Sequence, residues 1–155
     1  MTLEPIRKTI TVACSREHAF KVYTEGFDSW WPREHHIGKG ELAEAVMETK
    51  EGGRCYERLT DGSECDWGRV LVWEPPGRVV LSWQINGDWK IDPDPAHASE
   101  IELVFTEEGP GTTRVDLEHR AFERHGATAQ KVRDGVNTEG GWNGLLKLFA
   151  AKAAS

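Results

Sequence analysis

The sequence predicts an α+β fold: an antiparallel sheet of about six to seven strands, two short helices after the first strand, and a long helix at the C-terminal end. Three observations carry this reading. Two turn signals, Asp61-Gly62 and Glu74-Pro75-Pro76-Gly77, divide residues 54–83 into three consecutive antiparallel strands whose registers agree with one another. Residues 99–105 and 112–119 alternate apolar and polar side chains, the mark of half-buried strands. Trp142, Leu145, Leu146 and Phe149 recur at i, i+3, i+4 and i+7, so the last helix has one apolar face, and the inward face of the sheet is where it can be buried.

Taken in order, Ile6, Ile10 and Val12 give the first strand, with Lys8 as a charged interruption. Ser15 is a good N-cap for a helix over residues 16–25, since Ala19, Phe20, Tyr23 and Phe27 fall on one helical face, and Gly26 closes it. Asp28 is placed to cap a second short helix with Trp30 and Trp31, which Pro32 ends. A polar loop over 33–40 leads to a strand within 41–50 and a Glu51-Gly52-Gly53 connection into the meander. Beyond Trp83, Asn86-Gly87 and the prolines at 93 and 95 read as a surface loop. After the strand pair 99–119, a helical pattern begins near Ala127, breaks at Gly135 and resumes at Trp142.

A chain of 155 residues is expected to form one domain, residues 1–155, burying roughly two-thirds of its unfolded surface. A net charge of -7, with none of the 19 Lys and Arg residues in a block, speaks against nucleic acid and anionic membrane as partners. No apolar run approaches the roughly 20 residues of a spanning helix, and MTLEPIRKTI has no signal-peptide core, so a soluble, cytoplasmic protein is expected. Cys14, Cys55 and Cys65 read as free thiols. His35-His36 is not a metal signature, since adjacent side chains point apart, and no nucleotide-binding or nucleophile-elbow motif occurs. Neither metal nor cofactor is expected.

The meander places Val70, Val72, Val79, Leu81 and Trp83 on one face with Cys55, Glu57, Asp66 and Gly68. Its register sets Gly68 opposite Trp83, leaving room for the indole or for a guest, and Glu57 opposite Asp66. Two opposed carboxylates are candidates for a raised pKa and for proton transfer; the alternative is a pair neutralised by an arginine or sitting at a wet rim. His119, inward on the last strand, is either a third titrating group at that acidic end or a satisfied core histidine. Cys55 has no base beside it and reads as a small core residue.

FDSWWP at 27–32, GGRCYER at 52–58, DWGRVLVWEPPGRVVLSW at 66–83, SEIELVF at 99–105, GTTRVDLEH at 111–119 and GGWNGLL at 140–146 together resemble the activator-of-heat-shock-protein-90-ATPase homologue family. That family belongs to the START-like (SRPBCC) superfamily, with the helix-grip fold of Bet v 1 and the polyketide cyclases. The resemblance implies a curved sheet wrapped around the C-terminal helix and an apolar cavity between them. The namesake co-chaperones carry a further N-terminal domain that engages the chaperone, for which 155 residues leave no room, so direct ATPase activation is not expected.

Three function classes remain open. In the first, the cavity holds a hydrophobic or aromatic small molecule. Its walls are Val70, Leu81, Trp83, Leu103, Phe105, Leu117, Trp142, Leu145 and Phe149, with Trp30, Trp31 and Trp89 flanking the mouth. The second is a cyclase- or hydrolase-like enzyme using Glu57, Asp66 or His119. The third is a stress-related co-chaperone or interaction module with a protein partner. The chain is read as a monomer or homodimer.

Overall fold

The computed structural model describes residues 3–33 and 40–154. His35 and His36, and most of the loop expected over 33–40, lie outside the described residues. Among the described residues seven strands form a single sheet: β1 (Ile6–Val12), β2 (Leu42–Met47), β3 (Arg54–Leu59), β4 (Glu64–Glu74), β5 (Arg78–Trp83), β6 (Ser99–Gly109) and β7 (Thr112–Arg120). Their order is β1-β7-β6-β5-β4-β3-β2, every pairing antiparallel. The helices are α1 (Arg16–Tyr23), α2 (Phe27–Trp30), α3 (Ala129–Val136) and α4 (Gly144–Ala154). The C-terminal helical region is thus two pieces, joined by a π-helical turn over Glu139–Asn143. Helix α4 packs on β1, α1 and α2, so that the sheet curls around it in the expected α+β arrangement. Among the described residues no helix is long and apolar enough to cross a membrane.

Local chemistry accounts for the element ends. The Ser15 side chain accepts from the His18 amide at 3.2 Å and opens α1 as anticipated. Asp28 does not cap α2, whose N-cap is Gly26. It lies inside the first turn and is drawn instead to Arg33 and to the amide of Ala45, tying α2 to β2.

Strand β4 contributes to the curvature of the sheet, because it carries more residues than its neighbours can pair. The hairpin at Asp61-Gly62 has a three-residue loop rather than the expected two, with Gly62 at φ 90° and Arg58 opposite Glu64. This shifts the pairing by one, and a bulge at Trp67 shifts it back, so that Cys55 faces Gly68 as read from the sequence. A second bulge at Leu71 lies between Val70, opposite Leu81 as expected, and Val72, which faces Val80 instead of Val79. Trp73 therefore takes the inward place opposite Val79, and Val72 turns to the outer face, a correction to the sequence reading. Two extra residues in one strand bend and twist it, which a regular ladder cannot do.

Inside the curl, the side chains of Val12, Val70, Leu81, Ile101, Leu103, Phe105, Val115, Leu117 and Phe149 are essentially fully buried and pack as one core. The outer face between β5 and β7 is closed by ion pairs instead. Arg78 reaches Glu102 and Glu74, while Arg120 binds Glu100, Glu102 and Glu118.

Candidate functional site

Aromatic rings form a continuous path across the inner face. From one end they run Phe122, His119, Trp83, Trp67, Phe27, with neighbouring centroids 4.4 to 6.0 Å apart. From Phe27 the path continues through Trp30, Tyr23, Phe105 and Phe20 to Trp73, with spacings of 5.0 to 6.2 Å. Most contacts are edge-on or tilted, the arrangement that ring quadrupoles favour. Trp142 joins at Trp83 and Phe149 at Trp30. Of the expected wall residues, Val70, Leu81, Trp83, Leu103, Phe105, Leu117, Trp142, Leu145 and Phe149 all belong to this buried cluster.

The two adjacent tryptophans divide the labour. Trp30 is buried and donates its indole N–H to the Val22 carbonyl at 3.1 Å, fixing α1 against α2. Trp31 is half-buried and stacks on Phe27 at 4.8 Å, which brings the ring path to the surface there. At the far end a groove of about 420 Å³ opens between α1 and the turn joining β4 to β5, with Phe20 and Trp73 among its lining. Trp89 is 57% exposed and lies against Gly135 of α3, in a left-handed backbone conformation with φ 58°.

The opposed Glu57–Asp66 pair does not form. Because of the three-residue loop, Glu57 faces Cys65 and Asp66 faces Tyr56. Glu57 stays inward and is buried at 4% exposure. Asp66 turns to the outer face and is bound by Arg54 at 2.6 Å and by Arg69 at 2.9 Å. Hydrogen bonds from Arg54, reinforced by Arg69, hold its carboxyl below the usual range, opposite to the direction an opposed pair requires. Gly68 also differs from expectation. It gives no space to a guest, because a side chain there would run into the Ser82 carbonyl of β5. Burial pushes the Cys55 and Tyr23 groups upward, which keeps both neutral.

His119 does not meet the acidic residues of β3 and β4, since two strands, β6 and β5, intervene. Its side chain is fully buried and doubly bonded. Trp142 donates its indole N–H to Nδ1 at 3.1 Å, and Nε2 lies 2.7 Å from the Ser99 hydroxyl. The same hydroxyl is 2.8 Å from Nε2 of His125. Burial, then the neighbouring His125, drives the His119 pKa well below its ordinary value, so the ring is neutral. Ser99 and His125 were not singled out from the sequence. The signal for Ser99 was present, as the polar first member of the inward series Ser99, Ile101, Leu103, Phe105.

A family model described as Activator of Hsp90 ATPase homolog 1-like protein matches residues 13–153. No curated protein sequence matches the chain. Among solved structures, the anthrahydroquino-γ-pyrone synthase Txn09, complexed with SUM, is 40% identical over 97% of each chain, with a TM-score of 0.68. CalC, a self-sacrificing resistance protein from Micromonospora echinospora, is 35% identical, covers 96% of this chain and 93% of its own, and has a TM-score of 0.70. A Nitrosomonas europaea protein at 12% identity, covering 96% of this chain and 93% of its own, shares the fold with a TM-score of 0.65.

Proposed function

Because the chain belongs to the activator of Hsp90 ATPase homolog 1-like family, and its inner face is paved with aromatic rings, we propose that it binds a hydrophobic, flat aromatic small molecule between the sheet and α4. The ring path from Trp31 through Phe27 and Trp67 to Trp83 carries this reading. Trp31, being half-buried, is where a polycyclic guest first meets these rings. The name of one relative supports this ligand class, being that of an anthrahydroquino-γ-pyrone synthase.

The test is a titration with 9,10-anthraquinone-2-sulfonate, followed by quenching of tryptophan fluorescence. Saturable binding is expected, weakened roughly tenfold or more in Trp31→Ala and unchanged in Asp66→Asn. Absence of saturable binding, or equal affinity in folded Trp31→Ala and Trp83→Leu proteins, would sink the proposal.

A second reading, an enzyme that transforms such a ring system, is favoured by the 40% identity to a synthase. Glu57 is then the group placed for proton transfer, being a carboxylate buried on the inner face. On this reading Glu57→Gln keeps probe binding and loses turnover of an anthraquinone-type substrate, followed by chromatography and mass detection. Full turnover in that variant removes Glu57 from the chemistry.

A further inference from the structure

The indole N–H of Trp142 sets the direction of the hydrogen bonds around Ser99. An indole N–H can only donate, so Nδ1 of His119 must accept from Trp142. A neutral imidazole with Nδ1 accepting carries its proton on Nε2, and His119 therefore donates to the Ser99 oxygen. The Ser99 hydroxyl then sends its own hydrogen to Nε2 of His125, which puts the His125 proton on Nδ1, a buried atom without a partner among the described residues. A serine between an electrophilic N–H and a basic imidazole has the outline of an activated nucleophile. Its side chain, however, is fully buried and its oxygen already engaged on both sides, so no substrate atom has an approach.

The arrangement instead fastens a strap. Residues 121–126 connect β7 toward α3 and are bounded by two left-handed residues, Ala121 at φ 63° and Gly126 at φ 67°. Between these two pivots, Phe122 lies on His119 with centroids 4.4 Å apart, and His125 reaches Ser99. We propose that the His125–Ser99 hydrogen bond is a proton-sensitive latch that fastens the 121–126 strap over the Trp142 end of the inner face.

Protonation turns Nε2 of His125 from acceptor to donor. Ser99 then receives two donors and its own hydrogen is left without an acceptor. His119 cannot take that hydrogen, because its own proton would have to move to Nδ1, where the Trp142 N–H already points. A cationic His125 therefore leaves the hydroxyl. Asp92, in the loop before β6, attracts it, and His97, in the short 3-10 turn that follows, repels it when charged. His119 is the titratable group facing it from β7. On β6, Glu100 is held by Arg120 and Arg124; on α3, Lys131 pairs with Asp88 and Asp134 with Gln130. Burial already lowers the His125 pKa, consistent with a latch closed at neutral pH. That opening the strap alters ligand affinity rests on the binding function proposed above; the latch itself does not.

The test is 15N NMR of the imidazole and indole groups with amide hydrogen exchange, between pH 8 and pH 5. At pH 8 His119 is expected as the Nε2–H tautomer and His125 as the Nδ1–H tautomer. On acidification, one midpoint should govern three changes: His125 protonation, roughly tenfold faster exchange of strap amides, and movement of the Trp142 indole resonance. Ser99→Ala should exchange fast in the strap at every pH. His125→Phe, which preserves ring packing if Ser99→Ala fails to fold, should show no acid step. A proton on Nδ1 of His119, or titration of His125 without change in strap exchange and in the Trp142 resonance, overturns the latch. Anthraquinone-2-sulfonate separates the two proposals: an NMR step without probe binding at any pH upholds the latch against the binding function, and binding without the step does the reverse.

Discussion

Trp142 on the C-terminal segment and His119 on β7 meet through a single hydrogen bond of 3.1 Å in a buried setting, so an aromatic core residue also sets the tautomer of a histidine. Replacing Trp142 by Phe keeps a ring but removes the only group that donates to Nδ1 among the described residues. The expected cost is about 1–3 kcal/mol, the usual penalty for a buried polar atom left without its partner. Urea denaturation read by circular dichroism measures it.

Acid should destabilise the fold. His119 and His125 both have folded-state pKa values below the ordinary 6.5, so the unfolded chain takes up protons first as pH falls. Their contribution is complete above about pH 6.5 and is lost progressively below it, toward the folded-state values. For His119 the slope is about 1.4 kcal/mol per pH unit in that window, and the less deeply buried His125 adds less. Denaturation midpoints at pH 8 and pH 5.5 test the sign: a protein equally stable at both contradicts it, and His119→Phe should flatten the dependence.

The two carboxylates once paired in the sequence reading should behave differently. Asp66 is about one-third exposed in a solvent-facing cluster with Arg54 and Arg69, so Asp66→Asn is expected to cost at most about 1 kcal/mol and to leave probe binding intact. Glu57→Leu places an apolar group at a buried inner-face position and should change probe affinity. Equal effects in a binding titration would refute the separation of the two faces.

Glycines in β4 and its loop offer a graded test of backbone geometry. Gly68→Ala drives a methyl group into the Ser82 carbonyl and must push β4 from β5, an overpacking expected to cost about 1–3 kcal/mol or more. Gly62→Ala meets nothing nearby and costs only the left-handed conformation, about 1–2 kcal/mol. Thermal unfolding should rank Gly68→Ala as the less stable protein.

What was readable in the sequence followed from period and punctuation. Alternation along residues 99–119, the Ser15 cap and the Trp142-to-Phe149 spacing each survive in the fold because one local rule dictates each of them. Cys55 opposite Gly68 and Val70 opposite Leu81 were also readable, yet Glu57 opposite Asp66 was not. The difference lies in two extra residues, Trp67 and Leu71, that bulge out of the β4 ladder. An extra residue carries no composition of its own, and a slip of one exchanges faces, which is how Asp66 and Val72 were misplaced. The Ser99 relay was beyond reach for another reason. It joins β6, β7, the strap and the C-terminal segment through hydrogen bonds between residues 20 to 26 positions apart, which only the curled sheet brings together.

The placement of β1 beside β7 has a consequence for how the protein is made. Among the described residues β1 pairs only with Thr112–Arg120, so Ile6 meets His119 only after the 113 residues that follow Ile6 have been made. Until then β1 has no ladder, its inward residues Ile6 and Val12 stay uncovered, and α4, which packs on them, has not been synthesised. Pairings this distant in sequence are slow to close and leave apolar strands open to wrong partners. Folding of the sheet is therefore expected to grow from the local β3–β4–β5 meander outward, with β1 joining last, as the strand left longest in need of chaperone cover.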